Sequence, residues 1–244
     1  MKQINIQANI QNKRAAFTLA EILLAMTIIG IIASLTIPDL IQEIQTKAWK
    51  SAYKKTYAML GQATLQIKED NGGSMVNAFE AVPDDGWSSV DKVPDTYAKY
   101  MIFIKKCRKW STVGYCFPSS WTFLNGNPAV GTGITQTDLL SISGGFAGAT
   151  LSDGTSLAFT YVSSACTFTS WVFNGICSHV MIDVNGFKGP NVWGKDIYGL
   201  YILRDGNLKP FGLSNDEARN TTCIYGDTGA TNLGVKCSFD FLLQ

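Results

Sequence analysis

The sequence predicts an α+β fold, in which a long N-terminal α-helix packs on a C-terminal antiparallel β-sheet domain. Three observations lead to this prediction. Residues 17–38 form an almost continuous apolar run, and residues 39–70 repeat apolar side chains every three or four positions. The C-terminal half contains short strand-like segments separated by turn residues, such as Ser-Asp-Gly-Thr at 152–155.

The apolar run is long enough to cross a membrane. Residues 17–37 contain a single charged side chain, Glu21, and about 20 apolar residues suffice to cross a bilayer core. An ionised side chain within a span costs about 3 kcal/mol or more unless it finds a partner. A cut between Ala16 and Phe17 would place a new α-amino group one helical turn from Glu21. That amine could serve its own chain or a neighbouring copy, and geometry alone leaves both open.

The residues around this cut form a motif: two basic residues, a small residue, the sequence FTLAEILL at 17–24, a glycine within the span and a proline at its end. This motif resembles the N-terminal signature of type IV pilins and type II secretion pseudopilins. The family usually has glycine immediately before the cut, whereas this chain has Ala16.

The resemblance implies that residues 1–16 are a leader, that prepilin peptidase cleaves between Ala16 and Phe17, and that Phe17 is N-methylated. It also implies assembly into a helical filament, with Glu21 aligning each incoming subunit on the Phe17 amine of its neighbour. The positions that the resemblance assigns to assembly are Phe17, Glu21, Gly30 and Pro38.

Two other interpretations of the N-terminus stay open. A conventional secretory signal would be cut near Ala33 or Ser34, but its apolar core would be shorter than this one. A simple signal anchor fits the length and leaves Glu21 unexplained. The basic residues of the leader favour a single-pass protein in the cytoplasmic (inner) membrane, with its N-terminus in the cytoplasm. The globular domain is then extracytoplasmic, and the resemblance implies that it is part of a periplasmic or cell-surface filament.

Six cysteines lie in the predicted extracytoplasmic part and none lies in the leader or the span. An even number in an oxidising compartment favours three disulfides, although six cysteines allow 15 pairings. Nearest-neighbour pairing is expected because it closes short loops, and reduced buried thiols are the alternative. The expected pairs are Cys107 with Cys116, Cys166 with Cys177, and Cys223 with Cys237.

Charge argues against nucleic acid as the main partner. Without the three basic residues of the leader, 17 Lys and Arg face 19 Asp and Glu, a formal charge of −2. A basic cluster at Lys105, Lys106, Arg108 and Lys109 leaves a DNA-uptake pseudopilin as an alternative to a solvated helix end.

The remaining chain divides into a predicted amphipathic helix over 39–70 and a globular, disulfide-containing domain over 71–244. Within the domain we expect a loop over 74–95, a short helix over 96–110 and a loop over 111–148. The expected strands are 149–151, 156–162, 177–184, 197–204 and 208–211.

One loop offers hard oxygen ligands of the kind that Ca²⁺ prefers. It departs from the EF-hand pattern, since its fifth position is a phenylalanine and no Glu closes it at the twelfth. Some pseudopilins hold a structural calcium in such a loop, and a tight turn with side-chain hydrogen bonds is the alternative. The possible ligands are Asp183, Asn185, the Phe187 carbonyl, Asn191 and Asp196.

Nothing in the sequence predicts catalysis. His179 is the only histidine, and the sequence has no H-E-x-x-H, G-x-S-x-G or phosphate-binding motif. Together with this absence of catalytic motifs, the resemblance implies a structural subunit without a required cofactor. The partners that the resemblance implies are other copies, prepilin peptidase, an inner-membrane assembly platform and membrane lipid. The contrasting hypothesis is a membrane-anchored extracytoplasmic binding domain that never polymerises.

Overall fold

A computed structural model describes residues 17–79, 89–109, 111–129, 146–161, 163–169, 173–213 and 222–243. The chain forms two compact units, Met1–Gln45 and Thr46–Gln244. Helix α1, Leu19–Asp70, begins in the first unit and ends in the second. The long N-terminal helix followed by an antiparallel sheet confirms the predicted α+β class.

The first unit contains the apolar part of α1. Its large apolar side chains are exposed on all sides of the helix, from Ile22 at 40% to Leu19 at 77%. By length and composition, α1 is a candidate membrane span. None of the described residues of this unit, 17–45, is buried.

In the second unit, by contrast, one face of α1 is buried from Tyr53 onward. The buried positions recur at spacings of three and four, as an amphipathic helix requires. They are Tyr53, Thr56, Leu60, Ala63, Thr64 and Ile67. Of the apolar stripe expected over 39–70, Ile41 and Ile44 lie in the first unit and are exposed.

Seven antiparallel strands form one sheet in the order β1-β2-β3-β5-β6-β7, with β4 paired to β5. Two short helices complete the described elements, α2 at Lys92–Tyr97 and α3 at Cys237–Leu243. The strands are β1 Phe103–Cys107, β2 Ala147–Leu151, β3 Ser156–Tyr161, β4 Phe168–Thr169, β5 Asn174–Asp183, β6 Ile197–Leu203 and β7 Leu208–Pro210.

Both faces of the central strands are buried, because alternate side chains enter two different apolar clusters. Val180 and Ile182 join the cluster that includes Leu60 of α1. Met181, between them, joins a second cluster with Trp193. Helix α1 therefore covers one face of the sheet, and loop residues cover the other.

The predicted helix over 96–110 is wrong. Helix α2 ends at Tyr97, and residues 103–107 form edge strand β1, which pairs with β2. The spacing of the apolar residues in this stretch fits a helix as well as a strand, and the cross-strand partner decides between them. Helix α2 also begins inside the loop expected over 74–95, and helix α3 is absent from the sequence-based expectations.

Three disulfides stabilise the second unit, and they join nearest-neighbour cysteines. Each connects a loop to a neighbouring element: the first to strand β1, the second to strand β5, and the third to helix α3. The pairs are Cys107–Cys116, Cys166–Cys177 and Cys223–Cys237.

Candidate functional site

The predicted processing site lies at the start of α1. Ala16 is outside the described residues, and Phe17 is 80% exposed. The Glu21 carboxylate is held by Thr18, whose backbone N–H and hydroxyl each donate a hydrogen bond to Oε2 at 2.8 Å. In return, the Glu21 N–H donates to the Thr18 hydroxyl at 3.3 Å.

This reciprocal pair is a capping box, which satisfies donors at the first turn of a helix. Thr18 was not among the residues expected from the sequence to act on Glu21, although the T-x-x-E spacing of Thr18 and Glu21 is the usual signal for such a cap. In this chain Glu21 therefore has a partner one turn away in its own helix. Cleavage before Phe17 would place a charged amine directly beside this cap.

The other two predicted assembly positions have no packing role within the described chain. A Cβ added at Gly30 would meet nothing within 4 Å. Pro38 lies inside α1 and carries no N–H, so it removes one hydrogen bond from the helix. The hydroxyls of Thr27 and Thr36 donate to the carbonyls four residues earlier, at 2.8 and 3.0 Å. These hydroxyls are thus satisfied within the helix, as an apolar environment requires.

The predicted calcium loop connects β5 to β6 and brings two carboxylates together in the protein interior. Asp183 ends β5 and Asp196 precedes β6, and both side chains are fully buried. The Asn185 N–H donates to Asp183 Oδ1 at 3.2 Å. Asp196 accepts hydrogen bonds from the N–H groups of Asn191 and Val192, at 2.8 and 2.6 Å.

Burial of the two aspartates favours their uncharged forms. Burial, together with the nearby negative charge of Asp196, raises the pKa of Asp183 to about 8. Burial likewise raises the pKa of Asp196, against hydrogen bonds that favour its charged form. In the described part of the chain no Lys or Arg forms an ion pair with either carboxylate. A cation in this loop would compensate both charges.

Other oxygens face the same space. The Asn191 side-chain amide lies 3.1 Å from the Gly186 carbonyl oxygen and 3.3 Å from Asp183 Oδ2. With its NH₂ turned inward, Asn191 donates to both groups; with its oxygen turned inward, three oxygens converge. Asn185 Oδ1 is buried and accepts no hydrogen bond from the described residues.

This donor set of two carboxylates, amide oxygens and a carbonyl fits the hard-oxygen preference of Ca²⁺. The structure brings together Asp183, Asn185, Asn191 and Asp196, four of the predicted ligand residues. The fifth predicted ligand, the Phe187 carbonyl, stays a prediction, and the Phe187 side chain is 53% exposed at the tip of the loop. The described residues contain no cluster of three or more His, Cys, Asp or Glu side chains. A cation would therefore depend on amide and carbonyl oxygens as much as on carboxylates.

The basic cluster lies on β1 and the turn that follows it, where local partners hold Lys105, Lys106 and Arg108. Lys106 Nζ lies 2.5 Å from Asp95 Oδ1, and Arg108 lies 3.7 Å from Asp91. Lys105 Nζ donates to the Tyr115 carbonyl at 2.7 Å. These contacts compete with phosphate binding at the same side chains.

His179 packs against aromatic residues of the second apolar cluster. It is 5% exposed, and its Nδ1 lies 3.2 Å from the Thr160 hydroxyl. The rings of Phe168, Tyr201 and Phe211 approach it edge-on. A packing role accounts for this histidine.

Comparison with known proteins identifies a motif in the N-terminal segment. The prokaryotic N-terminal methylation motif matches residues 11–37. No curated protein and no solved structure matches the chain. The matched segment contains Phe17, the Thr18–Glu21 cap and Gly30, and it ends just before Pro38. The chain therefore carries the prepilin signature of type IV pilins and pseudopilins at the start of a pilin-like α+β fold.

Proposed function

We propose that the protein is a pilin or pseudopilin, a structural subunit that assembles into a type IV pilus or a type II secretion pseudopilus. The observation that carries the proposal is the methylation motif at residues 11–37, which coincides with a helix whose apolar side chains are exposed on every side. Such a surface needs lipid before assembly and other subunits afterwards. The filament would serve protein secretion, adhesion or motility.

In this proposal, prepilin peptidase removes residues 1–16 and the new N-terminus at Phe17 is methylated. The apolar part of α1 spans the inner membrane with its N-terminus in the cytoplasm, and the assembly platform draws the subunit out of the membrane. The three disulfides support an oxidising, extracytoplasmic location for the second unit.

Glu21 supplies the register of assembly. An ionised carboxylate among apolar helices is costly, so a subunit gains stability when a cation reaches it. The Thr18 cap satisfies one carboxylate oxygen with two neutral donors. The charged Phe17 amine of a neighbouring subunit would add a charge-assisted bond, which is stronger than a neutral one. The work is mechanical, and no catalytic step is required of the subunit.

The β5–β6 loop is proposed to hold a structural Ca²⁺ through Asp183, Asn185, Asn191 and Asp196, with the carbonyl of Phe187 as a further ligand. Calcium would compensate two buried carboxylates and fix the loop against the sheet. Calcium addition should then raise the unfolding temperature of the wild-type protein and leave that of an Asp183→Asn variant unchanged. An equal response to Mg²⁺, or an equal response of both proteins, would contradict a specific site.

A second candidate function is a membrane-anchored binding domain that stays monomeric. The Thr18 cap favours it, because Glu21 already has a partner within its own helix. The two functions differ in what Glu21→Ala does, since a monomeric anchor tolerates an apolar residue in its span.

The test compares filament formation by the wild-type protein with that of Glu21→Ala and of a matched control, Glu43→Ala, which removes a carboxylate from the exposed part of the same helix. We expect Glu21→Ala to abolish filaments while membrane insertion and domain unfolding stay unchanged, and Glu43→Ala to assemble normally. Undiminished assembly by Glu21→Ala would overturn the role of Glu21, and a wild-type protein that never polymerises would favour the monomeric anchor.

A further inference from the structure

One end of the second unit, which we call the basal end, surrounds the position where α1 enters that unit. It consists of residues 46–55 of α1, the β2–β3 turn at 152–155, the β5–β6 loop at 184–196 and residues 234–241. Direct contacts connect these segments to one another. Lys55 forms an ion pair with Asp153 at 2.8 Å, and the Tyr53 hydroxyl donates to the Ser238 carbonyl at 2.9 Å.

Further contacts include the β5–β6 loop in the same surface. The Tyr198 ring, just after this loop, stacks on Tyr53 with centroids 4.1 Å apart. A Cβ added at Gly186 would lie 2.5 Å from the Gly154 carbonyl oxygen, so the loop touches the β2–β3 turn. At the opposite end of the strands, the β6–β7 turn contacts α1 at Lys68 instead.

Basic side chains concentrate at the basal end. Among the described residues, seven lysines lie on its segments, and the carboxylates there with accessible surface belong to Asp153, Asp240 and the nearby Asp227. Asp196 also lies there, and Asp183 immediately precedes the loop, but both are fully buried. The lysines are Lys47, Lys50, Lys54, Lys55, Lys188, Lys195 and Lys236.

The tip of the β5–β6 loop adds an exposed aromatic ring to this basic surface. The Asn185 Nδ2 group donates to the carbonyls of Lys188 and Gly189, at 3.0 and 3.1 Å. This turn presents Phe187, which is 53% exposed, next to the exposed Lys188. Apolar side chains such as phenylalanine, flanked by lysines, are the combination that interfacial segments insert into the headgroup layer of anionic membranes.

The short connection along the chain limits how far this surface can lie from the bilayer. Only residues 39–45 separate the apolar segment from Thr46, and in a helix the step from Pro38 to Thr46 rises by about 12 Å. The headgroup layer on each side of a bilayer is about 5 to 7 Å thick. The rest of this rise, from the outer limit of the headgroup layer to Thr46, is comparable to the Debye length of about 8 Å at physiological salt. Charges on the basal end can therefore interact with lipid phosphates across it.

We propose that the basal end binds an anionic phospholipid surface while the subunit is anchored in the membrane, with Phe187 entering the headgroup layer and the lysines around it facing the phosphates. This inference rests on the proposed membrane-anchored form of the protein. Extraction into a filament would then have to release the domain from lipid as well as the helix.

Photo-crosslinking of the full-length chain tests this contact. A photoreactive phenylalanine derivative replaces Phe187, and the chain is reconstituted into nanodiscs of phosphatidylcholine alone or mixed equally with phosphatidylglycerol. The readout is the mass of lipid adducts after illumination. The matched control places the same derivative at Tyr115, which is 64% exposed and whose carbonyl accepts a hydrogen bond from Lys105 of the edge strand β1.

We expect adducts at position 187 in the anionic discs to exceed those in neutral discs, and those at position 115, by about tenfold. The triple variant Lys54→Glu, Lys188→Glu, Lys195→Glu should lose this excess. A control triple variant away from the basal end, Lys92→Glu, Lys99→Glu, Lys109→Glu, should keep it.

Equal adducts in both lipids, or at both positions, would overturn the inference, as would adducts at position 187 to a second copy of the chain instead of lipid. The proposed function fails separately. A chain that does not incorporate into the discs contradicts the membrane anchor itself, whereas an incorporated chain without lipid adducts at position 187 contradicts only the basal contact.

Discussion

The two parts of helix α1 differ in what surrounds them. In residues 19–45 the large apolar side chains are exposed, whereas in residues 46–70 Tyr53 and Leu60 are fully buried. The first part is apolar all round and the second has one apolar face, so a single continuous helix is built for two environments. We infer that substitutions in the first part change membrane behaviour and assembly, and that substitutions in the second part change the stability of the domain.

The largest expected effect is that of Tyr53→Ala. It removes a fully buried ring, its stacking on Tyr198 and its hydrogen bond to Ser238. Loss of a large buried side chain costs about 3–5 kcal/mol, so thermal unfolding of the purified protein in detergent should occur at a much lower temperature. Ile32→Ala, at a position 56% exposed in the first part, should leave the domain's unfolding unchanged. Similar decreases in unfolding temperature for both variants would contradict the inferred difference between the two parts of α1.

The next largest effect is that of removing the Cys223–Cys237 disulfide with a double Cys→Ser substitution. This bond attaches the preceding loop to helix α3, whose Phe241 packs against Tyr198. Loss of such a crosslink typically costs about 2–4 kcal/mol. Chemical denaturation should show the loss, while membrane insertion stays normal. A denaturation midpoint of the double variant equal to that of the wild-type protein would show that α3 stays packed on the domain without the disulfide.

The stability of the second unit should also depend on pH. Burial beside Asp196 raises the pKa of Asp183 to about 8, above the value near 4 of an exposed carboxyl group. Without calcium, the folded protein keeps a proton that the unfolded chain has lost, so stability should fall as pH rises from about 4 to 8. Thermal unfolding in chelator should show this trend, and Asp183→Asn should flatten it.

Calcium should act most strongly at the upper end of that pH range, because metal ions compete with protons for the same carboxylates. A stability that rises from pH 5 to 8 in chelator, or an unchanged trend in Asp183→Asn, would assign the dependence to other groups.

The smallest expected effect is that of Lys55→Ala. Its ion pair with Asp153 is partly exposed, at 59% and 36% of the two side chains, and such pairs contribute about 0–1 kcal/mol. The unfolding temperature should change little. A decrease in unfolding temperature as large as that of Tyr53→Ala would show that the Lys55–Asp153 ion pair is needed to hold the β2–β3 turn. The buried face of α1 would then contribute less of the domain's stability than we infer.

Much of this architecture could be predicted from periodicity. The apolar run with Glu21 predicts the exposed first part of α1, and the alternating segments around residues 152–155 predict the β2–β3 hairpin. Nearest-neighbour cysteine pairing, expected because it closes short loops, is also what the structure shows.

The remainder depends on contacts distant in sequence. The sequence predicts a helix where strand β1 forms. This prediction is wrong because the strand is stabilised by pairing with β2, about 40 residues later in the chain, and local sequence does not show that partner. The closeness of Asp183 and Asp196 follows from the antiparallel register of β5 and β6, which pairs Asp183 with Ile197. The sequence could place these carboxylates in one loop, but only the folded chain buries both.

The most direct test of the central claim is the N-terminal mass of the protein recovered from membranes. We expect a chain that begins with N-methylated Phe17 and lacks residues 1–16. A chain with an intact leader, or one cut near Ala33, would contradict processing as a pilin or pseudopilin.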